Sequence, residues 1–357
     1  MQPQFIRNLD SGMRRLGYLE VLICDCVKKG EQTADKYLGE ALWEWAEKNQ
    51  LEFLESLGKR RKLKGKEVGK ITERTASRYV KYATEIGLLT KGPEKELTDM
   101  GRLFQSYRNS VFLIEKNPGQ QILMLDSLLS KDKIVFTKLI RKLSNAKILE
   151  KMEIFSWFAN ECIPEILNEI KEYDDEDLVR RLKDTRKNYL GNRSEKKRGY
   201  DLIKHIIDTR IENLVDLEVI KKTPEKKYMA NDFTHIINSG LKNFKGKEIL
   251  HYCVSRYFNS TKKLTKTQLI KNYIKQYDDL ANYPIESVYL PTLYMCLLID
   301  SAVSQKSTFT IDMIENLEEI LFKKHYGDVV FLRDRDGTVT HINIDEKVKE
   351  KMREGRI

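Results

Sequence analysis

Residues 72–104 read TERTASRYVKYATEIGLLTKGPEKELTDMGRLF, and the fold follows from how this stretch is read. Over Glu73–Ile86, Ala76, Val80 and Ala83 recur at i, i+4 and i+7, the spacing of one buried helical stripe. Arg74, Arg78 and Lys81 fall on the opposite side, flanked by Thr75 and Ser77. Thr72 suits the N-cap, and Gly87 the left-handed position that ends a helix. Leu88 and Leu89 then make a short apolar run, Gly92–Lys95 a polar turn, and Leu97 the return. Thr98 has the character of a second N-cap.

The order is helix, glycine, short strand, basic turn, short strand, helix. With the frame Y-V-x-x-A-x-x-x-G-L-L-x-K (Tyr79–Lys91) followed by L-T-x-x-G (Leu97–Gly101), this resembles a winged helix-turn-helix. The resemblance implies a helix that enters the DNA major groove, with Arg74, Thr75, Ser77, Arg78 and Lys81 facing base edges. It also implies Lys66, Lys70, Lys91 and Lys95 on phosphates.

The resemblance sits in a chain of 357 residues, with 64 Lys or Arg, 54 Asp or Glu, and a formal net charge of +10. Hydrophobic content of 41% supports packed cores, and the surplus of cations favours a polyanionic partner. No apolar run approaches the ~18 residues of a membrane span, and no secretory leader is evident. The cysteines Cys24, Cys26, Cys162, Cys253 and Cys296 form no C-x-x-C pair. They read as reduced thiols of a cytoplasmic protein.

Working outward, helices are expected over Phe5–Val27 and Tyr37–Leu57, the latter suited to be the first helix of the winged unit. The basic run Gly58–Lys66 leads into Glu67–Ile71, placed to be the helix before the reading helix. Apolar helices follow at Ile122–Leu129, Ile134–Leu143 and Leu149–Ile170, and Arg186–Arg198 reads as a loop or hinge. A second frame spans Tyr200–Phe233, with Ile203, Ile207, Ile211 and Leu214 as its stripe and Val219–Ile220 and Tyr228–Met229 as wing strands. It departs from the pattern at Glu218, where glycine is common, and its outward face is expected to carry Thr209, Glu212 and Asp216. Such acids suit structure or protein contact, while Lys226 and Lys227 in the wing still suit phosphates. Helices at Lys266–Leu280, Ile285–Val303 and Ile311–Phe322 precede a hairpin, Val329–Leu332 and Thr338–Ile344, turning at Asp334–Gly337; this is a candidate third wing. A solvent-facing helix over Glu346–Arg353 closes the chain.

The expected fold is therefore mainly α with small β-hairpin wings, as tandem winged helix-turn-helix domains over residues 1–110, 111–245 and 246–357. No glycine-rich phosphate loop, metal-spaced histidine pair or nucleophile elbow is evident, and no cofactor is implied. A restriction-type nuclease needs an acid followed by acid-x-Lys on paired strands; Asp334, Asp336 and Asp345 lie instead at a turn or strand end. The expected partner is double-stranded DNA, for a transcriptional regulator or the recognition part of a restriction, defence or replication system. A homodimer or partner protein remains open, and the alternative is an interaction scaffold within a nucleic-acid-processing complex.

Overall fold

The computed structural model describes residues 15–28, 30–56, 62–63, 66–67, 71–108, 117–146, 148–170, 175–243, 264–281, 287–305, 309, 311–333, 337 and 339–357. The fold is mainly helical with small antiparallel sheets, and no described helix is long and apolar enough to cross a membrane. The chain divides into two compact units, Met1–Asn238 and Ser239–Ile357.

The first unit opens with α1 (Leu16–Val21), which runs on as a π-helical turn over Leu22–Cys26, then β1 (Thr33–Ala34) and α2 (Asp35–Ser56). A small hairpin, β2 (Lys62–Leu63) against β3 (Lys66–Glu67), separates α2 from α3 (Glu73–Glu85). Glu67–Ile71 is therefore not the expected helix at its described ends: Glu67 is a strand residue and Ile71 is non-helical, while residues 68–70 lie outside the described residues. The helix that packs on α3 is α2. Thr72 caps α3 by accepting from the Thr75 amide at 3.2 Å, which satisfies a donor that the first helical turn leaves open. At the other end Gly87 turns the chain at φ +84°, a conformation that costs any side chain a Cβ clash. The Leu88 amide meanwhile donates to the Ala83 carbonyl at 2.8 Å. Leu89 pairs with Leu97, β4 (Glu94–Lys95) pairs with β1, and Thr98 caps α4 (Asp99–Ser106).

The remainder of this unit is α5 (Pro118–Lys131), α6 (Lys133–Asn145), α7 (Lys151–Trp157), α8 (Ile163–Glu169), α9 (Glu176–Leu190) and α10 (Arg193–Asp216), then β5 (Ile220–Lys222) and β6 (Tyr228–Ala230); α11 (Asp232–Asn243) runs across the division at Asn238. A π-helical turn, Phe158–Cys162, joins α7 to α8. Arg186–Arg198 is not a loop: α9 and α10 run through it and meet at a tight Gly191–Asn192 corner. Asn192 caps α10 by accepting from the Glu195 amide at 3.2 Å, while the Glu195 carboxylate accepts from the Asn192 amide at 2.9 Å. This reciprocal cap holds the corner in a defined shape.

From Ile206 to Leu214, α10 is buried on every side. Thr209, Glu212 and Asp216, expected to face outward, are 0%, 4% and 1% exposed. Each acid is held because a partner from elsewhere meets it. Asp216 accepts from the Leu16 amide and pairs with Arg15, both at 2.8 Å. Glu212 pairs with Lys222 and accepts from the Tyr228 hydroxyl at 2.8 Å. Asp208 meets Lys151, and Arg210 clasps Asp132 through contacts of 2.6 and 3.0 Å. Buried charges survive only when paired in this manner. These ties also cross residue 110, so the expected first and middle parts share one interior.

The second unit comprises α12 (Lys266–Leu280), β7 (Val288–Tyr289), α13 (Leu290–Gln305), α14 (Ile311–Lys324), β8 (Val329–Arg333), β9 (Val339–Ile344) and α15 (Glu346–Arg353). Its sheet has the order β7-β9-β8, and its core holds Leu269, Tyr273, Leu293, Leu297, Ile314 and Ile342. Glu318 lies buried between the Tyr273 and Tyr294 hydroxyls, at 2.8 and 2.6 Å. The closing helix α15 is not simply solvent-facing, since Val348 and Met352 are fully buried.

One pairing recurs along the chain. A short segment placed before the helices bonds the second strand of the hairpin that follows them: β1 with β4, Leu149 with Tyr228 in β6, and β7 with β9. In the first and last cases a helix precedes that segment and two helices separate it from the hairpin.

Candidate nucleic-acid interface

The outer side of α3 carries Arg74, Arg78 and Lys81, and its geometry follows from how its inner side is anchored. Ala76, Tyr79, Val80, Tyr82 and Ala83 are buried. The Tyr79 hydroxyl donates to the Arg15 carbonyl at 2.8 Å, and the Tyr82 hydroxyl accepts from Asn213 Nδ2 of α10 at 2.7 Å. Burial pushes both phenols above their ordinary pKa, so they stay neutral hydrogen-bonding groups. Hydrogen bonds are directional where apolar contacts are not, so these two fix the rotation of α3 about its own axis.

With the inner face so fixed, Arg74 and Lys81 are exposed and Arg78 is half-buried. Thr75 sits at the cap, its hydroxyl 2.9 Å from that of Thr72. Ser77 faces α2: a Cβ on Gly39 would fall 2.9 Å from its Oγ, and that hydroxyl donates back to the Glu73 carbonyl. Lys91 is exposed on the turn. Lys95, expected on phosphates, instead points inward: it is 5% exposed, bonds the Gly92 carbonyl and pairs with Asp35 at 3.3 Å. Its role is to tie the turn to the start of α2. Lys70 and the side chain of Lys66 lie outside the described residues.

In the β5–β6 turn, Lys226 is exposed at φ +65°. Lys227 pairs with Glu150 at 2.8 Å, and that carboxylate holds its ammonium above the ordinary lysine value. Glu218, singled out for standing where glycine is common, adopts φ +55°. It thus occupies the left-handed position that Gly87 fills after α3.

The structure adds neighbours to α3 that the sequence reading missed. His205 of α10 is held below its ordinary pKa first by burial, then by the nearby cations Lys204, Arg78 and Arg181, with Asp201 opposing. Arg78 therefore shares its electropositive surroundings with α9 and α10, not with α3 alone. The missing signal was tertiary, since Arg78 and His205 are far apart in sequence.

Other chemistry finds less support in the geometry. Among the described residues no group of three or more His, Cys, Asp or Glu side chains is placed to hold a metal ion. Cys162 and Cys296 are buried, and burial pushes the Cys24 and Cys26 thiols up to about 12, far from nucleophilic thiolates. Asp345 caps α15 by accepting from the Lys347 amide at 2.9 Å, while Asp334 and Asp336 lie outside the described residues. No protein-family model, curated protein or solved structure matches the chain.

Proposed function

We propose that the protein is a sequence-specific double-stranded DNA-binding protein built from tandem winged helix-turn-helix units. α3 is its reading helix, with Arg74, Thr75, Arg78 and Lys81 in the major groove and Lys91 on the backbone. The observation that carries this is the cationic outer face of α3, held in one rotation by the Tyr79 and Tyr82 hydrogen bonds beneath it. The recurrence of a helix followed by a small antiparallel hairpin supports the winged-helix assignment.

A second reading has one observation in favour of it. On α14, the helix that corresponds to α3 in the second unit, Asp312, Glu315 and Glu319 are exposed acids that phosphates would repel. The second unit on this reading contacts protein, as part of a nucleic-acid-processing assembly.

Selection from a random-sequence duplex library at about 50 and 200 mM salt separates the two readings. Wild type is expected to enrich a motif and to weaken steeply with salt as counterions are released. The Arg74→Ala/Arg78→Ala variant should lose the motif, at about 1–3 kcal/mol for each guanine contact removed. Absence of duplex binding even at low salt would refute DNA reading and leave the scaffold.

A further inference from the structure

Residues 180–204 hold ten Lys or Arg against three Asp or Glu, a large share of the surplus behind the net charge of +10. The structure folds this segment into the α9–α10 hairpin and exposes most of its cations. On α9 these are Lys183, Arg186 and Lys187; on α10, Lys196, Lys197 and Arg198. Exposed lysines elsewhere commonly have an acid one turn away, as Lys28 has Glu31, Lys36 has Glu40 and Lys323 has Glu319. On the hairpin Arg180 has such a neighbour in hand, Asp177 at 2.6 Å, whereas the six cations just named hold no acid among the described residues.

The hairpin is also stiff. A Cβ on Gly199 would fall 2.2 Å from the Tyr189 amide nitrogen, so the two backbones touch where only glycine fits. The corner is closed by the Asn192–Glu195 cap. Charges on such a support are displayed at set positions rather than on a flexible arm.

Its placement gives the array a direction. α10 leaves the interior at His205, whose surroundings include Lys204 and, from α3, Arg78. From there to its start at Arg193 the helix rises ~18 Å, at about 1.5 Å per residue. That length is about half of the ~34 Å of one turn of duplex DNA.

We propose that the α9–α10 hairpin is a second, sequence-independent phosphate-binding surface, which receives duplex DNA flanking the site read by α3. This rests on the DNA reading of α3 and extends it. The hairpin contacts backbone only, and so adds affinity and salt dependence without changing the preferred motif.

Fluorescence anisotropy with the full chain tests it, on a short duplex limited to the selected motif and a long one extended on both sides. The variant is Lys196→Gln/Lys197→Gln/Arg198→Gln, exposed positions that leave the interior untouched. On the long duplex, loss of about three phosphate contacts should lower the log–log salt slope by ~2.7 and shrink the variant's deficit ~40-fold between about 50 and 200 mM salt. On the short duplex the variant should match wild type, and it should enrich the same motif. The charge-preserving Lys196→Arg/Lys197→Arg/Arg198→Lys variant should retain the wild-type slope. Equal slopes for wild type and the glutamine variant on the long duplex, with Arg74→Ala/Arg78→Ala still losing the motif, would overturn the hairpin surface alone. Equal losses on both duplexes would overturn its flanking placement, and wild type binding no duplex would overturn both proposals together.

Discussion

Replacing Arg210 by methionine should destabilise the first unit more than any surface change. Arg210 and Asp132 are 0% exposed and meet through contacts of 2.6 and 3.0 Å, with a further bond from Arg210 to the Ile206 carbonyl. Methionine fills much of the volume of the arginine stem, so the loss is chiefly electrostatic: the Asp132 carboxylate is left in a dry interior without its counter-charge. Breaking a buried pair from one side costs about 3–5 kcal/mol. For a unit of this size that lowers the melting temperature by roughly 6–20 °C, at about 2–4 °C per kcal/mol. Removing both charges, as Asp132→Asn/Arg210→Met, should recover most of the loss, because the penalty belongs to the orphaned charge and not to the missing attraction. The assay is thermal unfolding followed by tryptophan fluorescence. The three tryptophans, Trp43, Trp45 and Trp157, all lie in the first unit, so the signal reports on it specifically. The reasoning fails if Arg210→Met melts with wild type, or if the double variant is no more stable than the single one.

Glu218→Gly should raise the stability of the first unit by about 1 kcal/mol, since relief of the left-handed strain of ~1–2 kcal/mol exceeds the added chain entropy of ~0.5–1 kcal/mol; urea unfolding would show it, and a loss would count against strain at this position. Gly199→Ala should cost about 1–3 kcal/mol, because its methyl group meets the Tyr189 backbone and the helices must part; amide exchange across the α9–α10 corner should quicken. Glu318→Ala should destabilise the second unit by about 1–3 kcal/mol for each buried phenol it leaves unpartnered, read by hydrogen exchange in α12–α14 with the tryptophan transition unmoved. His205 is held low first by burial and then by neighbouring cations; duplex affinity should rise a few-fold as pH falls from about 7.5 toward 6, because phosphates beside Lys204, Arg78 and Arg181 offset the cations' share of that lowering. The complex would then bind a proton that the free protein does not, and binding that takes up protons strengthens in acid. Asp201 opposes the lowering, so Asp201→Asn should hold His205 lower still in free and bound protein alike and shrink the effect in this window, and His205→Gln should abolish it; a pH dependence unchanged in His205→Gln would refute the assignment.

The parts of the fold legible in the sequence were those decided locally. The Thr72 cap, the Ala76–Val80–Ala83 stripe, the Gly87 stop and the hairpin of Val329–Ile344 each depend on residues within a few positions of one another, and each is found. The acids of α10 went astray because a polar residue was equated with an outward one. What buries Asp216 is Arg15 and the Leu16 amide, the latter 200 positions away in sequence. Lys95 misled for the same reason, its partner Asp35 lying on another element. Arg186–Arg198 looked like a loop through its polarity and glycine, although the Asn192–Glu195 spacing of a helix cap was there to be read. Of the candidate interface, the α3 face was visible in the sequence, whereas the approach of His205 to Arg78 depends on packing alone.

A helix in a purely apolar sleeve can slide or roll by exchanging one methyl contact for another. α10 has no such freedom, because a slip of one residue advances it ~1.5 Å and rolls it ~100°. That motion would strip Arg210 from Asp132, Glu212 from Tyr228 and Asp216 from Arg15 at once. The helix thus behaves as an indexing pin, seated at one depth and one angle. The same rod carries Asn213 beneath α3 at one end and Lys196–Arg198 in solvent at the other. Whatever distance separates the outer face of α3 from the cationic hairpin is therefore a fixed gauge, cut into one stiff part rather than adjusted between two.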